Sequence, residues 1–329
     1  MTIHSFGAAL RAGVLASLLA LAAPPLAAQE LLGRVELGGR GVGGVPVTLH
    51  RVTSDSSGPV GTGATAPDGT FALSVPPADS AAGFTVYFAT AELHGVRYFG
   101  GPLHPGDPGT GYTVVVFDTA SASRFPGAVS VSRRDVIVLP EPDGSAEVNE
   151  IVRIRNAGDR ALVLGSGSST WEFRLPEGVA AFEVGEAQIA PDAVVRSGDR
   201  VLVTATLPPG EQELFIRYRL ARGSGRAEIP LAAGTDTVNL FVRQSAAGVE
   251  VDGLEAAPRP VQAEGESFLR YSGAGLGSRE AVALEWDTPD VPPVDPRAAA
   301  VAVAGLVLTA GAGLALRRRE RPADPRPAA

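Results

Sequence analysis

The sequence predicts an all-β chain, built as two β-sandwich domains followed by one C-terminal transmembrane helix. Three observations predict this: short segments alternate apolar and polar residues, turn residues are abundant, and one long apolar segment lies near the C-terminal end. Glycine (40) and proline (27) are frequent among the 329 residues, and both disfavour helix interiors and favour turns. No segment of useful length shows the 3.6-residue period of an amphipathic helix.

The composition excludes several kinds of chemistry. Cysteine is absent, and all 28 basic residues are arginine. Disulfides, thiolate nucleophiles, Cys-ligated zinc and lysine Schiff bases are therefore ruled out. One arginine precedes residue 29 and five follow Leu316, so the part between them is strongly acidic. Because an acidic surface repels phosphate backbones, we expect no nucleic-acid partner.

Residues 1–28 have the features of a secretory signal peptide. Arg11 precedes the apolar segment 12–23, and small residues then lead to an expected cleavage after Ala28. An uncleaved anchor helix is the alternative, although the segment is short for a span and Pro24 and Pro25 interrupt it.

Residues 298–316 are predicted to cross a membrane. They contain no charged side chain, and about 20 helical residues span a hydrocarbon core. Arg317, Arg318 and Arg319 follow at once, which places the tail 317–329 in the cytoplasm by the positive-inside rule. We therefore expect a single-pass protein of the bacterial inner membrane with its N-terminus in the periplasm. A buried helix in a soluble domain, or a processed sorting tail, are the alternatives.

Two predicted linkers separate the outer regions. Residues 119–127 are mostly small and polar, and residues 289–297 are proline-rich and should form a short stiff stalk. They delimit a first domain, residues 29–118, and a second, residues 128–288. In the first, alternation predicts strands at 31–37, 45–52, 70–75, 84–89 and 112–117, and Asp68-Gly69 is a tight-turn signal.

Residues 31–118 resemble the carboxypeptidase-regulatory-like family, a transthyretin-like, immunoglobulin-like sandwich. The residues that carry the resemblance are Gly33, Val35, Val45-Pro46-Val47, Leu49, Thr65, Asp68-Gly69 and Phe71. The resemblance implies an accessory, non-catalytic module, and some relatives are grouped with carbohydrate-binding folds. The catalytic metallopeptidase domain of carboxypeptidases has no counterpart in this sequence.

The second region shows stronger alternation. Trp171, Phe173 and Leu175 fall on one face of a strand, and later segments around 201–207, 214–220, 238–242 and 282–286 repeat the pattern. Strict period two is typical of antiparallel sheets with one solvated face. A larger antiparallel sandwich with Greek-key connections is predicted.

Few residues suit catalysis. Beyond residue 28 the only histidines are His50, His94 and His104, and no G-x-S-x-G motif precedes a helix. His94 and His104, with Glu92 and Asp107, could hold zinc, but their spacing matches no metal motif and exposed loop histidines are the more common case. The acidic loops at 107–109 and 192–199 lack the residue order of a calcium loop.

Two carboxylates, Glu147 and Glu150, lie on one predicted strand and could suggest a glycosidase pair. Strict alternation places Glu150 on the apolar face with Val148 and Val152. An inward carboxylate needs a buried arginine partner, or a bulge that turns it outward. We therefore predict no catalytic, cofactor-binding or metal-binding residues and no enzyme.

Aromatic side chains offer a ligand-contact surface in the first region. Tyr87 alternates with Val86 and Phe88, so it is expected on the exposed face, and Tyr87 and Tyr98 are the predicted ligand-contact residues. The expected function is a non-enzymatic, membrane-anchored envelope protein that displays binding or scaffold domains outside the cytoplasm. Its partner would be the membrane and either an envelope protein or a glycan. A glycan-binding accessory module is the alternative, and a metal-dependent enzyme that uses His94 and His104 is the less favoured one.

Overall fold

The structure of the protein, a computed structural model, describes residues 29–78, 83–221, 225–244, 248–263, 265–277 and 280–287. These residues form β-strands and two single-turn 3₁₀ helices, Ala122–Arg124 and Pro191–Ala193, so the all-β prediction is confirmed. No helix in this part of the chain is long and apolar enough to span a bilayer. The predicted signal peptide, stalk, transmembrane segment and tail lie outside the described residues.

The chain divides into two compact units. The first takes residues 29–36, 41–91 and 99–114, and the second takes residues 37–40, 92–98 and those from 115 onward. The strands of the N-terminal part are β1 Gln29–Leu37, β2 Arg40–Gly41, β3 Pro46–Thr53, β4 Ser57–Ala64, β5 Thr70–Val75, β6 Thr85–Leu93, β7 Val96–Phe99 and β8 Thr110–Val116.

These eight strands form two four-stranded sheets. One has the order β2-β1-β5 with β8 also paired to β1, and the other has the order β4-β3-β6-β7. The five strands predicted here are present. The structure adds the short strands β2 and β7 and the longer strand β4. Strand β4 is rich in glycine and carries Pro59, and it therefore gave no apolar alternation. A register shift at Leu49 and His50 accommodates its irregular pairing with β3.

The turn before β5 shows how the sequence sets the fold locally. Gly69 has φ 86°, a conformation that glycine adopts without strain. The Asp68 carboxylate accepts hydrogen bonds from the Thr70 N–H at 3.0 Å and the Thr70 hydroxyl at 2.7 Å. These bonds lower the pKa of Asp68. Strand β5 then pairs antiparallel with β1 and buries alternate residues from Phe71 to Val75.

The strands of the C-terminal part are β9 Thr119–Ser121, β10 Val129–Pro140, β11 Ala146–Asn156, β12 Ala161–Val163, β13 Trp171–Arg174, β14 Val179–Gly185, β15 Val194–Ser197, β16 Arg200–Val203, β17 Gly210–Leu220, β18 Arg226–Pro230, β19 Thr237–Arg243, β20 Val249–Asp252, β21 Glu255–Ala256, β22 Val261–Ala263, β23 Glu266–Ala274 and β24 Ala281–Trp286.

The segment predicted as a linker, residues 119–127, is part of this unit. Strand β9 pairs in parallel with β12, and Ala122 in the following 3₁₀ turn is buried. Small residues therefore allow a short strand to pair with its neighbour in this segment.

An eight-stranded sheet dominates the second unit. Its order is β14-β17-β11-β10-β19-β23-β21, with β22 also paired to β23. Strands β10 and β19 run parallel, whereas the other pairs of this sheet are antiparallel. With the parallel pair of β9 and β12, the described part of the unit has two exceptions to the expected antiparallel pairing. Three smaller sheets accompany it, with the orders β12-β9, β13-β16-β15 and β18-β24-β20.

One face of the large sheet packs into the main core of the unit. Alternate residues of β11 and β17, such as Val148, Ile154 and Ile216, are almost fully buried there. On the other face Ile137, Leu139, Phe241 and Phe268 form a smaller cluster. Strand β10 is thus buried on both faces from Arg134 to Pro140.

Candidate ligand-binding face

The two tyrosines predicted to contact a ligand are buried. Tyr87 is 1% exposed and its hydroxyl donates to the Pro76 carbonyl at 2.8 Å. Tyr98 is 5% exposed and donates to the Phe117 carbonyl at 2.9 Å. Burial raises the pKa of Tyr98, which keeps its hydroxyl protonated and able to donate. The expectation that Tyr87 lies on the exposed face was therefore wrong.

The aromatic residues that alternate with Tyr87 occupy the outer face instead. His50 lies directly opposite Phe88 on the neighbouring strand, and their ring centroids are 5.0 Å apart with planes only 6° from parallel. Phe99 follows, with its centroid 6.0 Å from that of Phe88 and its plane tilted by 38°. We call His50, Phe88 and Phe99 the aromatic row; it crosses β3, β6 and β7.

The aromatic row is open to solvent on one side. Phe99 is 65% exposed, and His50 and Phe88 are half-buried. Pro59 of β4 pairs with His50 in the ladder and is exposed, so it extends the row toward the sheet edge. The three rings and Pro59 carry no formal charge in their neutral forms, while Arg97 is exposed on the same face of β7 as Phe99; the strip suits a partly apolar ligand surface.

Backbone and hydroxyl contacts hold the aromatic row in place. The Gly100 N–H donates to the Ala89 carbonyl at 2.9 Å, which fixes the segment after Phe99 beside β6. The Tyr112 hydroxyl accepts from the Ala89 N–H at 2.9 Å and donates to the Gly101 carbonyl. Burial raises the pKa of Tyr112, so this hydroxyl remains a donor at neutral pH.

The imidazole of His50 is also held by hydrogen bonding. Its Nε2 lies 3.1 Å from the Thr90 hydroxyl oxygen, and that hydroxyl donates to the Thr48 carbonyl at 3.5 Å. These contacts keep the imidazole flat against Phe88. The row is therefore a platform with a fixed ring orientation, a feature that lowers the entropy cost of binding.

The other two histidines lie in exposed turns. His94 has φ 52° and with Gly95 forms the two-residue connection between β6 and β7. Its Nδ1 is 3.8 Å from Asp118, and the Nδ1 of His104 is 3.4 Å from Asp107. Among the described residues no three His, Cys, Asp or Glu side chains are grouped as metal ligands.

The candidate carboxylate pair points to opposite faces of the large sheet. Glu147 lies 3.5 Å from Arg217 and accepts a hydrogen bond from the Asn149 amide at 3.1 Å. Glu150 is fully buried and accepts two hydrogen bonds from Arg134, at 2.6 and 2.9 Å. Of the two alternatives for Glu150, a buried arginine partner or a bulge, the structure shows the arginine partner. The two carboxylates do not face a common cleft.

A third group completes the buried cluster. The Tyr218 hydroxyl donates to Glu150 at 2.5 Å, and the Arg134 guanidinium also donates to the Pro230 carbonyl. Burial, with the nearby Glu150 charge, raises the pKa of Tyr218 well above its usual value. Burial acts to lower the pKa of Arg134, but the Glu150 carboxylate outweighs it and the pKa rises. The cluster Arg134–Glu150–Tyr218 is thus an internal ion pair with satisfied oxygens and no opening for a substrate.

Sequence reasoning missed the aromatic row because alternation defines two faces without saying which is buried. Val86 and Phe88 are more apolar as a set than Tyr87 and Ala89, so the composition favoured the opposite assignment. The Tyr87 hydroxyl is satisfied inside by the Pro76 carbonyl, a contact that the fold supplies and local alternation does not predict.

No protein-family profile and no curated protein matches the chain. Among solved structures, it is similar to an M1 zinc metallopeptidase from Deinococcus radiodurans at 14% identity, covering 50% of this chain and 46% of that one with a TM-score of 0.32. A putative protease from Parabacteroides distasonis is 13% identical, with 52% and 41% coverage and a TM-score of 0.34. Legionella pneumophila aminopeptidase A is 10% identical, with 51% and 22% coverage and a TM-score of 0.29. The matched part spans less than half of each of these chains, and similarity at this level carries no argument about activity.

Proposed function

We propose that this chain is a non-enzymatic binding protein of the bacterial envelope. It is anchored in the inner membrane by residues 298–316 and holds two β-sandwiches, the first of them transthyretin-like, on the periplasmic side. The sequence supports this through the signal-like residues 1–28 and through the arginines that follow Leu316.

The observation that carries the binding role is the exposed aromatic row. Full removal of a phenylalanine side chain from water contributes about 1.5–3 kcal/mol of free energy. Because Phe99 is 65% exposed, most of this free energy would be gained only when a ligand covers it. The Tyr112 hydroxyl is hydrogen-bonded to the backbone of the row, and the Thr90 hydroxyl is hydrogen-bonded to His50. These contacts hold the row in position. A surface that is both apolar and fixed in orientation is the usual form of a contact site.

A glycan is the second candidate ligand, and the exposed ring of Phe99 favours it. His50 and Phe88 are stacked with parallel planes, so each covers part of the other's face, and Phe99 at 65% exposure offers the open apolar ring face of the row. Sugar rings have apolar C–H faces that pack on such aromatic surfaces. An envelope protein would instead bring apolar side chains onto the same row.

The test uses the full-length protein in detergent and two variants, Phe99→Ala and Phe88→Ala. Depletion from solution is measured with insoluble cellulose, chitin and peptidoglycan, and capture of envelope proteins is measured by cross-linking in cells. Leu32→Ala is the matched control, because Leu32 is 41% exposed but lies on the other sheet of the same unit.

The proposal expects that one of the two ligand classes binds and that Phe99→Ala weakens it by roughly 10- to 100-fold, the equivalent of one aromatic burial. The Leu32→Ala variant should bind like the unsubstituted protein. Equal binding by all three variants would remove the aromatic row as the contact site.

A further inference from the structure

The second unit has a sheet edge whose residues match a second copy of themselves. Strand β13 pairs with β16 on one side only, and in the described part of the chain its sheet places no strand on the other side. An unpaired edge of this kind presents backbone N–H and C=O groups that can pair with another strand.

The ladder defines which backbone groups face outward. The Leu175 N–H donates to the Asp199 carbonyl at 2.7 Å, and alternate residues of an antiparallel strand bond to the same neighbour. Phe173 and Trp171 therefore direct their N–H and C=O groups to β16. Glu172 and Arg174 direct theirs to the open side.

The side chains of these two residues have opposite charges and are solvent-exposed. The Glu172 side chain is 44% exposed and lies 3.0 Å from Arg200, and the Arg174 side chain is 62% exposed and lies 3.1 Å from Asp199. Ion pairs at this exposure contribute little, so both charges remain available to a further partner.

Antiparallel pairing of two copies of β13 about Phe173 brings these features together. Glu172 of one copy then lies opposite Arg174 of the other, and the reverse holds by the two-fold symmetry of such a contact. These are the residues with outward N–H and C=O groups, so each facing pair exchanges both of its hydrogen bonds. Charge and backbone register are satisfied by the same alignment.

The opposite edge of the same sheet lacks this property. Strand β15 carries Val194 and Arg196 at its alternate positions, so self-pairing about Val195 would place a cation opposite an aliphatic side chain. The Arg196 guanidinium is also engaged with the Val179 carbonyl at 3.0 Å. Self-complementarity is thus specific to β13 within this sheet.

A partly apolar pocket adjoins the start of β13. Its volume is about 410 Å³, and it is bounded by Trp171, Glu172, Phe125 and Pro126. Phe125 is 46% exposed.

We propose that this chain forms a symmetric dimer through antiparallel pairing of β13 with β13 of a second copy. The pairing extends the three-stranded sheet into a continuous six-stranded one. This dimer contact lies in the second unit and requires neither the aromatic row nor its ligand. The dimer proposal and the binding proposal can therefore be refuted independently.

The absence of cysteine from the sequence makes a register-specific cross-linking test simple. Two full-length variants in detergent, Glu172→Cys and Arg174→Cys, are oxidised separately and as a mixture. Facing residues in such a pair lie about 5.5 Å apart between Cα atoms, within the range of a disulfide. Identical residues lie diagonally at about 7–8 Å, which is too far for a disulfide without backbone movement.

The proposal expects a disulfide-linked dimer in the mixture and little in either variant alone. Val195→Cys, at an exposed position on the other edge, reports random collision. No dimer in the mixture, or equal yields in all four samples, would overturn the proposal.

A charge exchange provides the second measurement. Glu172→Arg or Arg174→Glu alone places like charges opposite each other and should weaken the dimer, measured by sedimentation of the full chain, by roughly 5- to 30-fold. The double variant restores opposite charges and should recover the dimer. Retained folding is checked by fluorescence of the two tryptophans, which both lie in this unit. Single variants that dimerise as well as the unsubstituted chain would refute the alignment.

Discussion

Removing the charge of Glu150 should destabilise the second unit far more than removing the whole buried cluster. Glu150→Gln keeps the size of the side chain but leaves the Arg134 guanidinium, only 1% exposed, without a counter-charge. Arg134 would keep its bond to the Pro230 carbonyl and would lose the paired carboxylate contacts at 2.6 and 2.9 Å.

The magnitude follows from that geometry. Breaking a buried ion pair by neutralising one partner costs about 3–5 kcal/mol, whereas replacing the pair by apolar residues of similar volume is often neutral. The triple variant Arg134→Met, Glu150→Leu, Tyr218→Phe removes the cation, the anion and the hydroxyl that donates to it. We expect its unfolding free energy to lie within about 1–2 kcal/mol of the unsubstituted protein.

Urea unfolding followed by tryptophan fluorescence measures both. Trp171 and Trp286 belong to the second unit, so the signal reports that unit alone. With a urea dependence of about 1–3 kcal/mol per molar, Glu150→Gln should lower the midpoint by roughly 2 M. A loss below about 1 kcal/mol for Glu150→Gln, or a triple variant less stable than it, would refute the argument that the isolated charge dominates.

Three further predictions follow from single features. Burial raises the pKa of Tyr218, so the folded state keeps a proton that the unfolded state loses above about pH 10. The free energy of unfolding should therefore fall as the pH rises beyond that value, and it should fall less steeply in the Tyr218→Phe variant. Parallel curves of unfolding free energy against pH would contradict this. Gly33→Ala places a Cβ 2.7 Å from a backbone oxygen and should lower the stability of the first unit, measured by pulse proteolysis, by about 1–3 kcal/mol. The control Gly58→Ala meets no atom within 4 Å and should change that stability by less than about 0.5 kcal/mol. Equal losses in the two variants would show that the close approach at Gly33 is not rigid. In spheroplasts, a cysteine introduced at the exposed Ser57 should react with an impermeant maleimide, and one introduced at Ala329 should react only after lysis; labelling of both in intact spheroplasts would contradict the proposed orientation.

Alternation located strands where one face is buried and the other is solvated. It identified the segments that became β1, β3, β5, β6 and β8 in the N-terminal part, and β13, β16, β17, β19 and β24 in the C-terminal part. It could not identify β10 from Arg134 to Pro140, since both faces of that strand are buried and the alternation disappears. Strand β4 was missed for the opposite reason, because its glycines leave no side-chain pattern to read.

The candidate site was less predictable than the fold. That Glu150 needs a buried arginine follows from electrostatics alone, but which of the 28 arginines supplies it depends on pairing between β10 and β11. Likewise the sequence names Phe88 and Phe99 as aromatic, yet only the sheet order brings them beside His50. Both contacts are determined by pairing between residues distant in the sequence, which local alternation does not predict.

The parallel pairing of β10 with β19 affects how the chain reaches its native state. Asp135 and its partner Asn239 are separated by 104 positions, so a chain emerging from its amino end must leave one edge of β10 without a neighbour until residue 243 is available. Contacts so distant in sequence are slow to form, and an apolar strand that waits unpaired can associate with other chains. The late arrival of β19, and not the formation of local hairpins, should therefore limit how quickly this protein folds and how much of it stays soluble when it is overproduced.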